Sequence, residues 1–336
     1  VIFWDFKRSP ASVDLLVAFG AELGLSASAL LKGSGISIAQ LSDPNVELAA
    51  VKELKVIANL VKLSGAPSGL GLQVGLRYRI TTYGLWGYGL ISSATAADAL
   101  AMALRYLPLT YLFNQIVYRR QAGVVTMHFD APDFTDEVRR FVIERDMAAA
   151  AALMGELVGE GFALTRLQLQ PEERGSAARG SRRLFGVEPV YAASSNQLSF
   201  DASMLARKLP GANPITAALC EQLCGELLRR RTTQASTGDV IRQYLEIPGV
   251  SLPDLGTMAK HLNTSERTLK RRLQGEGTSF RLLLENRRRA LARELLREGK
   301  LGMSAIAERL GFADVSSFSQ AHKRWHGVSP KARRPG

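Results

Sequence analysis

Residues 258–269 read MAKHLNTSERTL, and residues 307–318 read AERLGFADVSSF. Both stretches meet the steric demands of two short helices that cross at a tight turn. A small residue must lie in the first helix where the second passes over it. A residue tolerant of left-handed backbone follows four positions later, and an apolar anchor holds the second helix about ten positions after the small one. In the first stretch these are Ala259, Asn263 and Leu269; in the second they are Ala307, Gly311 and Phe318, with the anchor one residue later. Asn and Gly both accept the positive φ that other residues resist. Thr264 or Ser265 is placed to cap the helix after the first turn, and Ser317 with Gln320 has capping-box spacing in the second. One such pattern arises readily by chance; two in tandem do not.

Residues 279–297 join the two patterns as one predicted helix. Phe280, Leu283, Leu284, Arg287, Leu291 and Leu295, helped by Ala290, fall on one face. The run Arg287–Arg289 and Arg293 fall mostly on the outer side. Such a rod would hold the second helix of each unit in register. Two helices about one DNA turn apart, ~34 Å, can enter successive major grooves.

Charge supports the same partner. The formal net charge is +12, and from residue 237 onward there are 19 Lys and Arg against 10 Asp and Glu. The first 236 residues hold 24 against 21. A phosphate backbone is the usual partner of so basic a segment, because neutralising it releases counterions. On the second helix of the first unit, Glu266, Arg267, Lys270 and Arg271 are predicted to be exposed. On that of the second unit the exposed set is Ser316, Ser317, Ser319, Gln320 and Lys323. Arg pairs with guanine and Gln with adenine in the major groove, so Arg267, Arg271 and Gln320 are read as base contacts. Lys270, Arg272, Lys323 and Arg324 are read as phosphate contacts.

The run Ile306-Ala307, Gly311-Phe312, Ser316, Phe318, Lys323 and Gly327-Val328-Ser329-Pro330 resembles the signature of the AraC/XylS transcription regulators. The resemblance spans essentially the whole C-terminal domain. Two positions depart from it: His322 stands where the family usually has Phe, and Arg333 where it often has Tyr. Both positions pack the last helices, and His322 is read as a partly buried packing residue. Toward the front, Gly84–Ser93 followed by Ala97–Leu100, Arg183–Gly186 and Asn196–Phe200 are similar to the arabinose-binding-type (OruR-like) N-terminal subtype, over roughly residues 10–230. The subtype's name does not identify a ligand. The resemblance implies an effector-binding and dimerising module, hence a homodimer on double-stranded promoter DNA. It also implies RNA polymerase as a partner and activation more often than repression.

The front segment itself reads as mixed. Val13, Leu16, Val17, Gly20 and Leu23 fall at helical spacing, as do Leu48, Val51, Leu54, Ile57 and Val61 up to Leu63. Thr95 to Tyr111 reads as a helix capped by Thr95 with Asp98. Gln115–Arg120 and Val124–Phe129 read as a hairpin around Gln121-Ala-Gly123. A long helix over Thr135–Gly159 follows, then a strand over Leu164–Gln170, a short helix over Ser181–Leu184, and short strands at Val190-Tyr191 and Gln197–Phe200. Pro214 to Arg231 reads as helix, and the polar, basic Arg229–Gly238 as a linker. The expected architecture is an α+β effector or dimerisation domain (residues 1–213), a helix and linker (214–236), and an all-α domain (237–336). The last carries two helix-turn-helix units joined by a linker helix.

Two readings of residues 1–236 stand side by side. One is a small-molecule sensor, whose candidate effector residues are Arg77, Tyr83, Trp86 and Tyr88 in a glycine-rich stretch that also holds Tyr78 and Arg79. Apolar pockets with a few placed polar groups suit organic ligands, and an arginine suits a carboxylate or phosphate. In the other reading the same aromatics pack a core, and the domain only dimerises, leaving a constitutive or partner-controlled regulator. An architectural DNA binder without a sensor is a third possibility.

Enzyme chemistry finds no foothold. Gly69, Gly71 and Gly75 miss the dinucleotide spacing, and no serine sits in a Gly-x-Ser-x-Gly elbow. The four histidines are scattered. Cys220 and Cys224 share a helical face with no third ligand nearby; they read as core residues, with a redox pair as the alternative. No cofactor and no metal is expected. No stretch approaches the ~18 apolar residues of a membrane span, and Val1–Pro10 lacks a secretion signal, so a cytoplasmic, nucleoid-associated bacterial protein is expected.

Overall fold

The computed structural model describes residues 7–132, 134–172, 186–234, 236–246, 252–262, 264–299 and 301–330. The chain divides into two compact units, residues 3–234 and 235–336. Asn263, Arg333, residues 183–185 and the short helix expected over Ser181–Leu184 lie outside the described residues.

The first unit opens with four helices, α1 (Ala11–Glu22), α2 (Ala27–Leu31), α3 (Ile38–Leu41) and α4 (Ala50–Leu63). Leu54, Ile57, Leu60 and Val61 bury one stripe of α4, against which α1 and α2 pack. The glycine-rich stretch folds into α5 (Leu70–Gly75), a 3-10 turn at Ile80–Tyr83 and α6 (Gly84–Ser92). Thr95 caps α7 (Ala96–Arg105), and Asp98 completes the capping box. That helix stops short of the expected Tyr111, because Pro108 breaks it and the chain tightens into a 3-10 turn at Leu107–Leu109.

At the centre lies α8 (Asp136–Val158), buried on almost every side. It packs on α5 and on one face of a four-stranded antiparallel sheet of order β1-β2-β4-β3. The strands are β1 (Gln115–Gln121), β2 (Val124–Asp130), β3 (Leu164–Gln168) and β4 (Gln197–Asp201). Ala122 and Gly123 both have positive φ, as a two-residue turn matched to strand twist requires. Val125, Met127 and Phe129 alternate inward along β2, and Leu198 and Phe200 do so along β4. Val190 forms only an isolated bridge to Gln168.

The last helix of this unit, α9 (Pro214–Gln234), packs on α6 and buries Cys220 and Cys224, neither of them in a disulfide. It runs on through the basic stretch to Gln234, and helix resumes at Thr237, so most of the segment read as a linker is helical. Arg and Gln are good helix formers, and neither Gly nor Pro interrupts them before Gly238.

The second unit is all helix: α10 (Thr237–Glu246), α11 (Leu255–His261), α12 (Glu266–Gly275), α13 (Phe280–Glu298), α14 (Met303–Arg309) and α15 (Val315–His326). Ala259 and Leu269 are buried in the first helix-turn-helix, and Ala307 and Phe318 in the second. Gly311 has φ 69°, the conformation its position demands. Ser265 caps α12 by accepting from the Thr268 N–H. The cap of α15 is Asp314, which accepts from the Ser317 N–H, so the expected Ser317–Gln320 capping box does not form.

The linker helix α13 departs from its reading in two respects. Ala290 is exposed, and Ala292 and Leu296 carry the buried stripe instead. The arginines read as outer are partly structural. Arg287 Nε donates to the Leu245 carbonyl at the end of α10 (2.6 Å). Arg288 donates to the carbonyls of Leu310 (2.8 Å) and Gly311 (2.9 Å) and lies over the Phe312 ring. Consecutive arginines of one helix thus satisfy carbonyls near the C-terminal ends of two others, where helices leave acceptors without intrahelical partners.

Candidate functional site

The two helix-turn-helix units present their second helices, α12 and α15. Side chains step by about 100° per residue around a helix. Leu269 and Leu273 turn one side of α12 into the core, which sets Arg267 and Arg271 on the opposite side. Arg267, Lys270, Arg271 and Arg272 are all exposed, with Lys270 Nζ 3.7 Å from Glu266. On α15, Phe318, Ala321 and His322 are buried, so Ser316, Gln320 and Lys323 form the outward stripe. Ser317 and Ser319 flank it and are half-buried. Arg324 is exposed but tied to Glu285 of α13 (3.2 Å), whose carboxylate also accepts from Trp325 Nε1 (2.7 Å). Those contacts, the Trp325 hydrogen bond first, hold the Glu285 carboxyl below the usual range.

His322 is fully buried, with Nδ1 2.8 Å from the Val328 carbonyl and its ring edge-on to Phe318. It fills the position of the family's Phe and adds one polar bond to the turn behind α15.

The first unit holds a cavity of about 690 Å³, counting the part open to solvent. It lies among α6, α7, α8 and the inner side of the sheet, and its wall is mainly Leu, Ala, Ile and Met. Tyr78, Tyr83, Trp86 and Tyr111 form one side. Their rings pack as tilted pairs, with Tyr83 5.0 Å from Trp86 and 5.4 Å from Tyr111. The Trp86 indole N–H is buried and has no hydrogen-bond partner among the described residues. Such a group is uncommon, because a buried donor left unsatisfied costs ~1–3 kcal/mol.

Of the four candidate effector residues, the structure brings Tyr83 and Trp86 to this cavity. It does not bring Arg77 or Tyr88 there. Arg77 lies on the surface, paired with Glu22 and over the Phe19 ring, and Tyr88 is exposed on α6. The cavity's charged residues are instead Arg145 and Asp146, from the middle of α8. Arg145 Nε donates to Asp146 (2.8 Å), Nη1 to Glu53 (3.0 Å) and Nη2 to the Tyr111 carbonyl (2.8 Å). Arg8 reaches the other oxygen of Glu53 (3.4 Å), and Ser12 donates to Glu53 (2.6 Å). Asp146 also accepts from the Phe113 and Asn114 N–H groups and from the Asn114 side chain. Among the described residues, two cations and two anions thus balance in one buried network. Burial alone would lower the Arg145 pKa, but Asp146, Tyr78 and Glu53 outweigh it and raise it. Burial pushes the Tyr78 and Tyr83 phenols up.

In the sequence, Asp146 stands next to Arg145 and directly before the apolar run Met147–Met154. A charged pair next to an all-round apolar helix segment was the available signal, since a helix buried on every side must neutralise any charge it carries.

Among the described residues, no three His, Cys, Asp or Glu side chains group so as to hold a metal ion. No described helix is long and apolar enough to cross a membrane.

Residues 24–209 match the family described as the arabinose-binding domain of AraC transcription regulator, N-terminal. Residues 258–335 match the one described as a helix-turn-helix domain. The chain is 32% identical to an uncharacterised HTH-type transcriptional regulator of Mycobacterium tuberculosis, over 97% of this chain and 96% of that one. It is 30% identical to the ornithine utilization regulator of Pseudomonas aeruginosa, over 96% and 95% of the two chains. Among solved structures it is similar to the transcriptional regulator CdpR from Pseudomonas aeruginosa, at 28% identity and a TM-score of 0.46, over 90% of this chain and 96% of that one.

Proposed function

We propose, for a chain that belongs to the AraC family of DNA-binding transcription regulators, that a small molecule in the cavity of the first unit controls how the second unit occupies promoter DNA. The observation that carries this reading is the cavity itself: an apolar chamber lined by Trp86, whose indole N–H is buried and has no partner among the described residues. The protein acts as a regulator rather than an enzyme, as a homodimer on paired half-sites in the bacterial nucleoid, and activates by recruiting RNA polymerase. An effector can do this only by binding the two regulatory states with different affinity.

In this reading Arg267, Arg271 and Gln320 contact base edges. Lys270, Arg272, Lys323 and, once released from Glu285, Arg324 contact phosphates, and Ser316, Ser317 and Ser319 border the groove. Arg77 and Tyr88 have no part in binding the effector, and Tyr83 and Trp86 do.

The test uses the full chain. A binding site is selected from a random DNA library, placed upstream of a core promoter and transcribed with purified RNA polymerase while metabolite fractions are added. A fraction that raises output from the wild type but not from Ala150→Leu, which fills the cavity from α8, supports the reading. Output that is the same with every fraction and in both proteins would leave the dimerisation-only regulator in its place.

A further inference from the structure

We infer that the cavity takes an uncharged, mostly hydrocarbon molecule bearing one carbonyl oxygen, and rejects carboxylates, amino acids and sugars. The inference rests on the sensor reading above and follows from counting the polar atoms in the wall. A ligand charge needs an unmatched counter-charge. Of the lining residues only Arg145 and Asp146 are ionic, and each is already committed. The guanidinium of Arg145 binds Asp146, Glu53 and the Tyr111 carbonyl, and its charge is balanced within the network. An incoming carboxylate would add a net negative charge to a buried site that is neutral without it, and burying an unpaired charge is strongly unfavourable.

Three of the four hydroxyls in the wall are committed as well. That of Tyr78 bonds Ser12 Oγ (2.5 Å). That of Tyr111 bonds Ser9 Oγ (2.5 Å) and donates to the Thr82 carbonyl (3.2 Å). Thr110 donates to the Leu107 carbonyl (2.7 Å). A sugar would bring several hydroxyls into a wall with almost nothing left to satisfy them. What remains is the Trp86 N–H, which can only donate, and the Tyr83 hydroxyl packed beside it, which can donate or accept. A donor at the edge of an apolar chamber calls for a ligand with an acceptor at one end and hydrocarbon elsewhere. The arabinose of the family's description and the ornithine of the Pseudomonas relative's name both fail this count.

The experiment titrates the full chain with prodan, a neutral naphthyl ketone whose emission shifts blue in apolar surroundings. Bound prodan is then displaced with two competitors of nearly equal shape, 2-acetylnaphthalene and 2-naphthoate, and with L-arabinose and L-ornithine. The expected result is saturable prodan binding that Ala150→Leu abolishes. The ketone should displace it at least tenfold better than the carboxylate, and the sugar and amino acid should not displace it. Trp86→Phe keeps the ring and removes the N–H; it should weaken the ketone about fivefold, the loss of one hydrogen bond, and leave 2-ethylnaphthalene unchanged. If naphthoate, arabinose or ornithine binds in the cavity better than the ketone, the ligand class is wrong and the sensor reading stands. If no probe binds and Ala150→Leu changes nothing, both fail. Should Trp86→Phe or Ala150→Leu not fold, judged by its melt, the ketone-to-carboxylate ratio in the wild-type chain decides alone.

Discussion

Gly75→Ala sets two well-defined effects against each other. Gly75 closes α5, and helix propensity alone says that alanine there stabilises by ~0.4–1 kcal/mol. The packing says the opposite. A Cβ on Gly75 would stand 2.3 Å from the Arg145 carbonyl oxygen and 2.6 Å from the Ala148 Cβ, and Gly71, one turn earlier, faces the same helix at 2.3 Å from the Phe141 carbonyl oxygen. The two glycines let α5 lie directly on the backbone of α8. Since the obstacle is main chain, no side chain can swing aside, and overpacking of this kind costs ~1–3 kcal/mol or more. The net expectation is a loss of roughly 1–3 kcal/mol. For a unit of this size that lowers its melting transition by roughly 2–12 °C. The control is Gly155→Ala on α8, where the nearest atom is a Phe162 ring carbon at an ordinary 3.4 Å, so only the propensity gain remains. Thermal melts of the full-length variants, followed by far-ultraviolet circular dichroism, decide it. A Gly75→Ala protein that melts at or above the wild-type temperature would refute the close-approach argument. So would a Gly155→Ala protein that falls as far.

Arg145→Met should cost about 3–5 kcal/mol in urea unfolding, because it leaves Glu53 and Asp146 buried without their shared cation; a loss below about 1 kcal/mol would mean that the network is not closed as described. Arg288→Ala removes two charge-assisted hydrogen bonds and a stacked cation, so the second unit should lose about 2–3 kcal/mol. Lysine should not restore it, because one ammonium cannot reproduce the planar fork. Arg267→Ala should weaken a selected DNA site by ~1–3 kcal/mol and relax preference at one base pair; unchanged affinity and preference would remove it from the base-reading set. Burial, against the N–H groups of Gly69 and Gly71, raises the Glu144 pKa to about 7. A carboxyl raised above its unfolded value contributes stability that is fully present below the unfolded pKa of about 4.5 and is lost as pH rises through about 7. Glu144→Gln should flatten the dependence of melting temperature on pH between 5 and 7, and an unchanged slope would assign it to another group.

How much could be read in advance depended on whether local chemistry or tertiary contact set each feature. The helix-turn-helix units were legible because their constraints are short-range: Ala259 and Ala307 must be small, Gly311 must accept positive φ, and Leu269 and Phe318 must be apolar at a fixed spacing. The hairpin at Ala122-Gly123 and the Thr95 cap were legible for the same reason. The glycine-rich stretch was not. Its aromatics drew attention, but spacing along the chain cannot tell which of four neighbours turns inward, and α6 sends Trp86 into the core and Tyr88 out. Arg77 drew attention through its charge. An arginine beside aromatics looks like an anion site, yet an arginine on the surface has a carboxylate within reach, here Glu22, whereas a fully buried one must bring its own counter-charges. Arg145 does so with Asp146 next to it in sequence and Glu53 some ninety residues away. The same closure that hid this site from the sequence is what shapes its chemistry. On the proposed sensor reading, Arg145 and Asp146 satisfy each other before a ligand would arrive, so charge would not select it, and selection would fall to apolar shape and to the Trp86 N–H and Tyr83 hydroxyl.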